Sequence, residues 1–267
     1  MRVRAEVWLL AIVVALAAFI VTQAARAPRR TSAQAAADSA FLDSAAAASE
    51  NADGGSRVRR STLPPPGPKD YADIARRITA AEPTTYIDDI LAARGGHVAR
   101  WVDRRDDPIR VWIQPRTTVK DFFPEFRDRA RDAFYVWAGA GVPMRFLFVD
   151  DSTVAEVRLR WIDHFDDGAA GKTFWSRDQN WWLVDADVQI ALHRSSGEKF
   201  DALAVRTITM HEAGHVIGLD HSHNADDVMA PRVHATSLTA ADLGTASLLY
   251  HLPPGSVKAT GAAPVSP

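Results

Sequence analysis

Three histidines, with a glycine between each successive pair, stand in the stretch His211-Glu212-Ala213-Gly214-His215-Val216-Ile217-Gly218-Leu219-Asp220-His221. This spacing constrains the fold more than any other feature of the chain. His211 and His215 are i and i+4, so one helical turn puts both imidazoles on one face, where a single cation can bind both. Glu212 is next to the first histidine and cannot point along the same line; it can hold a water at the edge of the site. Gly218 tolerates positive φ, so the helix can end there in a left-handed turn. That turn brings the chain back and makes His221 available as a third ligand. Three neutral imidazoles with one position left open suit a catalytic zinc, whereas a structural zinc is more often closed by four protein ligands, commonly including cysteine. The chain has no cysteine. Disulfides, iron–sulfur ligation, thiolate zinc sites and a cysteine nucleophile are therefore excluded.

The histidine pattern predicts a helix from about Asp201 to Leu219. Ile109 to Ile113 alternates apolar and polar residues and reads as a strand. Met144 to Val149 and Val154 to Trp161 read as two more. Val184 to Leu192 is another, with Val184, Ala186, Val188 and Ile190 on one face. From about Pro124 to Ala140, the residues Phe126, Ala130, Ala133, Phe134 and Trp137 keep a helical period. A last helix runs from Thr239, where Thr239-Ala240-Ala241-Asp242 has the form of a capping box, to about Tyr250. Strand, helix, strands, helix, helix is an α+β outline.

Upstream of this domain, Tyr71, Ile74 and Ile78 share one helix face, and Ile87, Ile90 and Leu91 suggest a second short helix stopped at Gly95-Gly96. Residues 70–100 thus read as a helical N-terminal extension or a propeptide-like segment. Residues 28–69 are rich in Ala, Ser, Pro, Gly and Arg and bury too little to offset their ordering entropy, so a disordered linker is expected. At the start, Arg2 and Arg4 precede an apolar run from Val7 to Ala25, nearly the roughly 20 residues that cross a bilayer core. Residues 1–27 are expected to be an uncleaved signal anchor. The alternative is a cleaved signal peptide with Ala25-Arg26-Ala27 at the cut. Either exports the rest of the chain, as a membrane-anchored or a secreted protein. Residues 253–267 read as a flexible tail. Lys and Arg number 31 against 33 Asp and Glu, which gives no electrostatic reason to expect nucleic acid as a partner.

The residues from His211 to His221 spell HExxHxxGxxH, which resembles the metzincin metallopeptidases. Met229, in Asp227-Val228-Met229-Ala230-Pro231, fits the methionine turn of that group. The wording His215-Val216-Ile217-Gly218-Leu219-Asp220-His221-Ser222 is similar to the matrixin branch, the family of the matrix metalloproteinases, in its bacterial type. Pro231 stands where the two Tyr-ligand branches carry their tyrosine. The resemblance spans about residues 100–252 and places the peptidase domain at 101–252. It implies a zincin-like α+β domain: a twisted mixed sheet, an active-site helix, a Met-turn and a C-terminal helix. It also implies a zinc endopeptidase in which His211, His215 and His221 hold one zinc ion, Glu212 is the general base toward an attacking water, and Met229 packs beneath the metal.

Further expectations follow from the same resemblance. The strand Asp185 to Leu192 is similar to the edge strand that pairs with substrate in bacterial matrixin-like proteins. Extended peptide would add along Val184, Ala186 and Val188. The wall from Pro231 to about His234 would line the pocket for the residue after the scissile bond. Partners would be a protein or peptide substrate and, through the N-terminal segment, a membrane; a monomer is expected. The propeptide cysteine of vertebrate matrixins is absent, and that latency switch with it. His164, Asp166, Asp167, Gly168 and Gly171 look like a remnant of the loop that holds structural zinc and calcium in those enzymes. The later histidines of the structural zinc are missing, with Trp175, Trp181 and Trp182 in this stretch instead. Calcium (Ca2+) remains the lesser expectation there, beside a plain turn, which Asp and Gly favour without any ion. The alternative to an enzyme is a non-catalytic surface interaction module on the metzincin fold, against which the intact Glu212 argues.

Overall fold

A computed structural model describes residues 57–258. The expected anchor or signal at 1–27, the linker up to residue 56 and the tail from 259 lie outside the described residues. Among the described residues, no helix is long and apolar enough to cross a membrane.

In chain order the elements are β1 (Arg57–Val58), α1 (Tyr71–Ala81), α2 (Ile87–Ala93), β2 (His97–Val98), β3 (Arg104–Ile113), α3 (Glu125–Ala138), β4 (Met144–Phe148), β5 (Val157–Ile162), β6 (Gly171–Arg177), β7 (Leu183–Ala191), α4 (Ala202–Val216), α5 (Ala240–His251) and β8 (Gly255–Ser256). The main sheet has the order β1-β6-β7-β5-β3-β4, and β2 pairs separately with β8. Within the main sheet β3, β4, β5 and β7 run parallel, and β6 runs antiparallel to β7. This is the mixed α+β architecture that the sequence predicts.

Parallel sheets are usually covered on both faces. Here the alternation within each strand points to one covered face. Ile109, Val111 and Ile113 of β3, Val157, Leu159 and Trp161 of β5, and Ala186, Val188 and Ile190 of β7 are all buried. Between them stand Trp112, Arg158 and Arg160, and Arg160 donates to Asp187 on the neighbouring strand at 2.8 Å. The buried face receives α3 and α4, which also pack on each other: the Trp137 indole donates to Met210 O at 2.7 Å. Helix α4 is capped by Asp201, whose side chain accepts from Ala204 N. Nearly every residue of α4 is buried, as expected of a central helix without a polar face.

Several details depart from the sequence reading. Strand β7 is not an edge strand: it is hydrogen-bonded to β5 on one side and to β6 on the other. Ala186 and Val188, expected to meet substrate, are fully buried. A run of alternating residues reports which face is buried; it does not report how many neighbours the strand has. The antiparallel edge is β6, a strand the sequence reading leaves as part of a loop. The hairpin between them closes on Asp178, whose Oδ1 accepts from Asn180 N and Trp182 N. The last part of the expected linker is also ordered. Arg57 and Val58 pair in parallel with Ser176 and Arg177 of β6. Arg59 N donates to Arg177 O at 2.8 Å and its side chain pairs with Asp185. Pro64 O accepts from the Trp182 indole at 2.8 Å. An open sheet edge offers unpaired backbone groups, and β1 takes part of it. Likewise, residues 255–256 of the expected tail pair with β2.

Candidate active site

Helix α4 carries His211, Glu212 and His215, and all three are buried. The helix stops through the bonds of a Schellman motif: Leu219 N donates to Gly214 O and Gly218 N to His215 O, both at 3.0 Å. Gly218 has φ +102°, and a Cβ there would stand 2.4 Å from Ala99 O. Glycine is thus required twice, for the dihedral and for the close approach. The reversal brings His221 back beside the other two. The ligand nitrogens of His211, His215 and His221 lie within 4.8 Å of one another. The ring centroids are 4.8 Å (211–215), 5.3 Å (211–221) and 4.9 Å (215–221) apart.

The tautomers of two rings follow from their partners. His211 Nδ1 lies 2.8 Å from Val228 O, and His215 Nδ1 lies 3.1 Å from Leu219 O. A carbonyl oxygen only accepts, so both Nδ1 atoms carry the proton and both Nε2 atoms present a lone pair. Those Nε2 atoms face each other at 3.2 Å. Two lone pairs at that distance repel unless a cation or a proton lies between them. Burial first, then the neighbouring imidazoles, pushes the His211 and His215 pKa values well below the usual histidine range. The rings are therefore neutral, the form that binds metal. A buried set of three imidazole nitrogens fits a borderline-soft divalent cation such as zinc.

Glu212 is held from the sheet side. Thr173 Oγ1 of β6 donates to Glu212 Oε2 at 2.6 Å. A Cβ at position 171 would lie 2.5 Å from Glu212 Oε1, so only glycine leaves room for the carboxyl. Burial raises the Glu212 pKa to about 8, offset in part by the Thr173 hydrogen bond and by Lys172. Small residues at 171 and 173, on the inward side of β6, are what admit the acid. That pattern is in the sequence but reads as a strand only once the partner is known.

Met229 is fully buried. Its Sδ lies 2.2 Å from where a Cβ on Gly214 would be, so the methionine turn packs directly under the helix between the two histidines. The turn is fixed by its neighbours. Met229 O accepts from Ser222 N at 2.8 Å, and Ser222 Oγ donates to Asp227 Oδ2 at 2.6 Å. Asp242 closes the capping box of α5 with Thr239 and also accepts from Val228 N at 3.0 Å and from the Tyr86 hydroxyl at 3.0 Å. Val228 O in turn receives His211, so the cap of α5 and the orientation of a site histidine are linked. Pro231 follows the turn, partly exposed.

Other polar residues near the site have partners of their own. Asp220 Oδ1 accepts from His221 N at 2.9 Å, which orients the backbone of the turn. His223 is exposed, with Nδ1 2.7 Å from Asp89 Oδ1. In the loop of His164 and Asp166, the Asp167 carboxylate pairs with Lys172 and accepts from Ala169 N, as in a turn. Among the described residues no second group of three or more His, Asp or Glu side chains converges on one point. Sequence reasoning missed Arg94. Its guanidinium donates to Gly218 O at 2.8 Å, Leu219 O at 3.0 Å and Asp220 Oδ2 at 3.1 Å.

Comparison with known proteins agrees with this geometry. The sequence model of the matrixin peptidases matches residues 113–251, just over half of the chain. The chain is 30% identical over 133 residues to Metalloendoproteinase 1-MMP of Arabidopsis thaliana, an alignment covering 45% of this chain and 36% of that protein. It is 28% identical over 150 residues to Metalloendoproteinase 4-MMP of the same organism, covering 52% and 43%. The chain thus spans well under half the length of these relatives. The fold, the three histidines on their helix and turn, and the extent of the matched region together identify the chain as a member of the matrixin family of peptidases.

Proposed function

We propose that the protein is a zinc-dependent endopeptidase, with His211, His215 and His221 as ligands of one zinc ion and Glu212 as general base. The observation that carries this reading is the convergence of three imidazoles beside a buried carboxyl that is held by Thr173. When bound, zinc would supply Lewis acidity to the attacking water and to the peptide carbonyl. The chain's own residues would do the rest. Glu212 would take a proton from water and pass it to the leaving amine. Thr173 would keep the carboxyl oriented, and the Nδ1 bonds to Val228 O and Leu219 O would hold the two helix imidazoles to one direction. Met229 would pack beneath the site without touching substrate.

The substrate strand is reassigned. Because β7 is paired on both sides, an extended peptide would add to β6 over Gly171–Trp175, the part of that edge upstream of the β1 register. The stretch from Pro231 to His234 would line the pocket for the residue after the scissile bond. The apolar run in residues 1–27 supports export with membrane anchoring, which carbonate extraction of tagged cells would test.

The decisive experiment uses the full chain. Bound metal is quantified and cleavage of a diverse peptide library is followed with and without a chelator. One zinc per chain with chelator-sensitive cleavage is the expected result. Zinc without cleavage would favour a binding module on the same fold.

A further inference from the structure

Residues 70–100 lie upstream of the matched region, yet they form the back wall of the site. Tyr86 donates its hydroxyl to Asp242. Ala99 O is in contact with the Gly218 turn. Trp101, just beyond, donates its indole to Val216 O at 2.8 Å. Ile87 and Ile90 are completely buried. The most direct contact is made by Arg94, whose side chain is only 6% exposed. Its three nitrogens engage three consecutive residues of the turn that delivers His221. Two of those acceptors also touch site histidines. Leu219 O receives both Arg94 Nη2 and His215 Nδ1. Asp220 accepts Arg94 Nε on one carboxylate oxygen and His221 N on the other. On its far side the guanidinium lies over the Trp175 ring of β6, 5.1 Å from the ring centroid.

From this geometry, and resting on the zinc reading above, we propose that Arg94 is a positioning residue for His215 and His221, and that residues 70–100 are a permanent part of the enzyme rather than a removable propeptide. A planar guanidinium can serve three acceptors at once; an ammonium on a flexible stem cannot reproduce that fork. A group hydrogen-bonded directly to a metal ligand typically contributes about 10–100-fold to metal affinity; Arg94 acts one bond further out, through Leu219 O and Asp220, so its share is smaller. Cutting the chain between residue 100 and the rest would remove this support together with the buried Ile87 and Ile90.

The test compares the full chain with Arg94→Ala and Arg94→Lys. Zinc affinity is read by competition against a chromophoric chelator, and ligand geometry by the visible spectrum of the cobalt(II)-loaded protein. Both variants should bind zinc more weakly, by up to about 10-fold, the low end of what a direct partner of a ligand contributes. The cobalt spectrum should change, and kcat should fall by more than KM rises, because Arg94 reaches the substrate strand only through the Trp175 ring. In the chelated chain, amide exchange at Leu219 and His221 should be faster in both variants, a readout that does not need the protein to be a peptidase. Parent-like zinc affinity, spectrum and exchange in the variants would overturn the proposal. If Arg94→Ala does not fold, Arg94→Lys and the N-terminus of the active species decide. An active zinc-loaded form beginning beyond Arg100 overturns it, and one beginning before Asp70 supports it. A parent chain that binds no zinc defeats the zinc reading instead and leaves the exchange comparison intact.

Discussion

Gly214 lies between the two helix histidines, and its missing side chain is what lets Met229 approach. A methyl group there would stand 2.2 Å from Met229 Sδ and 3.1 Å from the Trp137 ring. Overpacking of this kind costs about 1–3 kcal/mol. Gly214→Ala should therefore lower the unfolding midpoint by several degrees. It should also weaken zinc binding, because displacing Met229 moves Val228, whose carbonyl orients His211. A variant as stable as the parent would show that the methionine turn yields freely. Glu212 allows a second test at this scale. In the zinc-free fold burial raises its pKa from 4.5 to about 8. The folded state then holds a proton that the unfolded state has released, so parent stability falls as pH rises from about 4.5 through about 8. Glu212→Gln does not titrate, while His211 and His215 are the same in both proteins and cancel. In chelated samples the variant's advantage in unfolding free energy should widen between about pH 5 and pH 8 and level off above that; a constant gap would count against a buried, proton-holding acid. With zinc restored, the same variant should bind metal and lose cleavage.

Among the elements, α5 does more for the site than its distance in sequence suggests. The N3 residue of its capping box, Asp242, is fully buried and accepts from Thr239, Val228 and Tyr86. Asp242→Ala opens the capping box and strands buried donors at about 1–3 kcal/mol each. The expected loss is about 3 kcal/mol, read by denaturant unfolding, and cleavage should fall with it because Val228 is released. Only part of this arrangement is legible in the sequence. The site helix, its glycine stop and the third histidine are dictated by local geometry, so spacing alone reveals them. The cap at Thr239–Asp242 is readable for the same reason. The sheet edge is not, because strand neighbours are set by topology: the alternation in 184–192 reports one buried face and nothing about pairing. Strand β6 escaped notice since its inward residues, Gly171 and Thr173, are small to admit Glu212 and so break the apolar period. Arg94 lies 126 residues from Asp220, and no spacing rule reaches that far.

For the whole molecule, the three imidazoles come from two pieces of structure, a rigid central helix and a turn that depends on α4, the Met-turn and the segment around Arg94. One cation bound by all three would cross-link those pieces, so metal should stabilise the entire fold and not just the site. A ligand at about 1,000 times its dissociation constant adds about 4 kcal/mol to the native state. In a domain of this size each kcal/mol shifts the midpoint by about 2–4 °C, so chelation should lower it by about 8–16 °C. Loss of order should begin where the cross-link ends. The segment from His223 to Asp226 is exposed beside the turn, and it should become the first site nicked by a non-specific protease once zinc is removed. Strands β3, β5 and β7 have their cores filled without help from the site and should stay protected. Equal protease sensitivity with and without zinc at 223–226 would mean that Arg94 and the Met-turn alone hold the turn in place, and that the metal is a passenger in the stability of the fold.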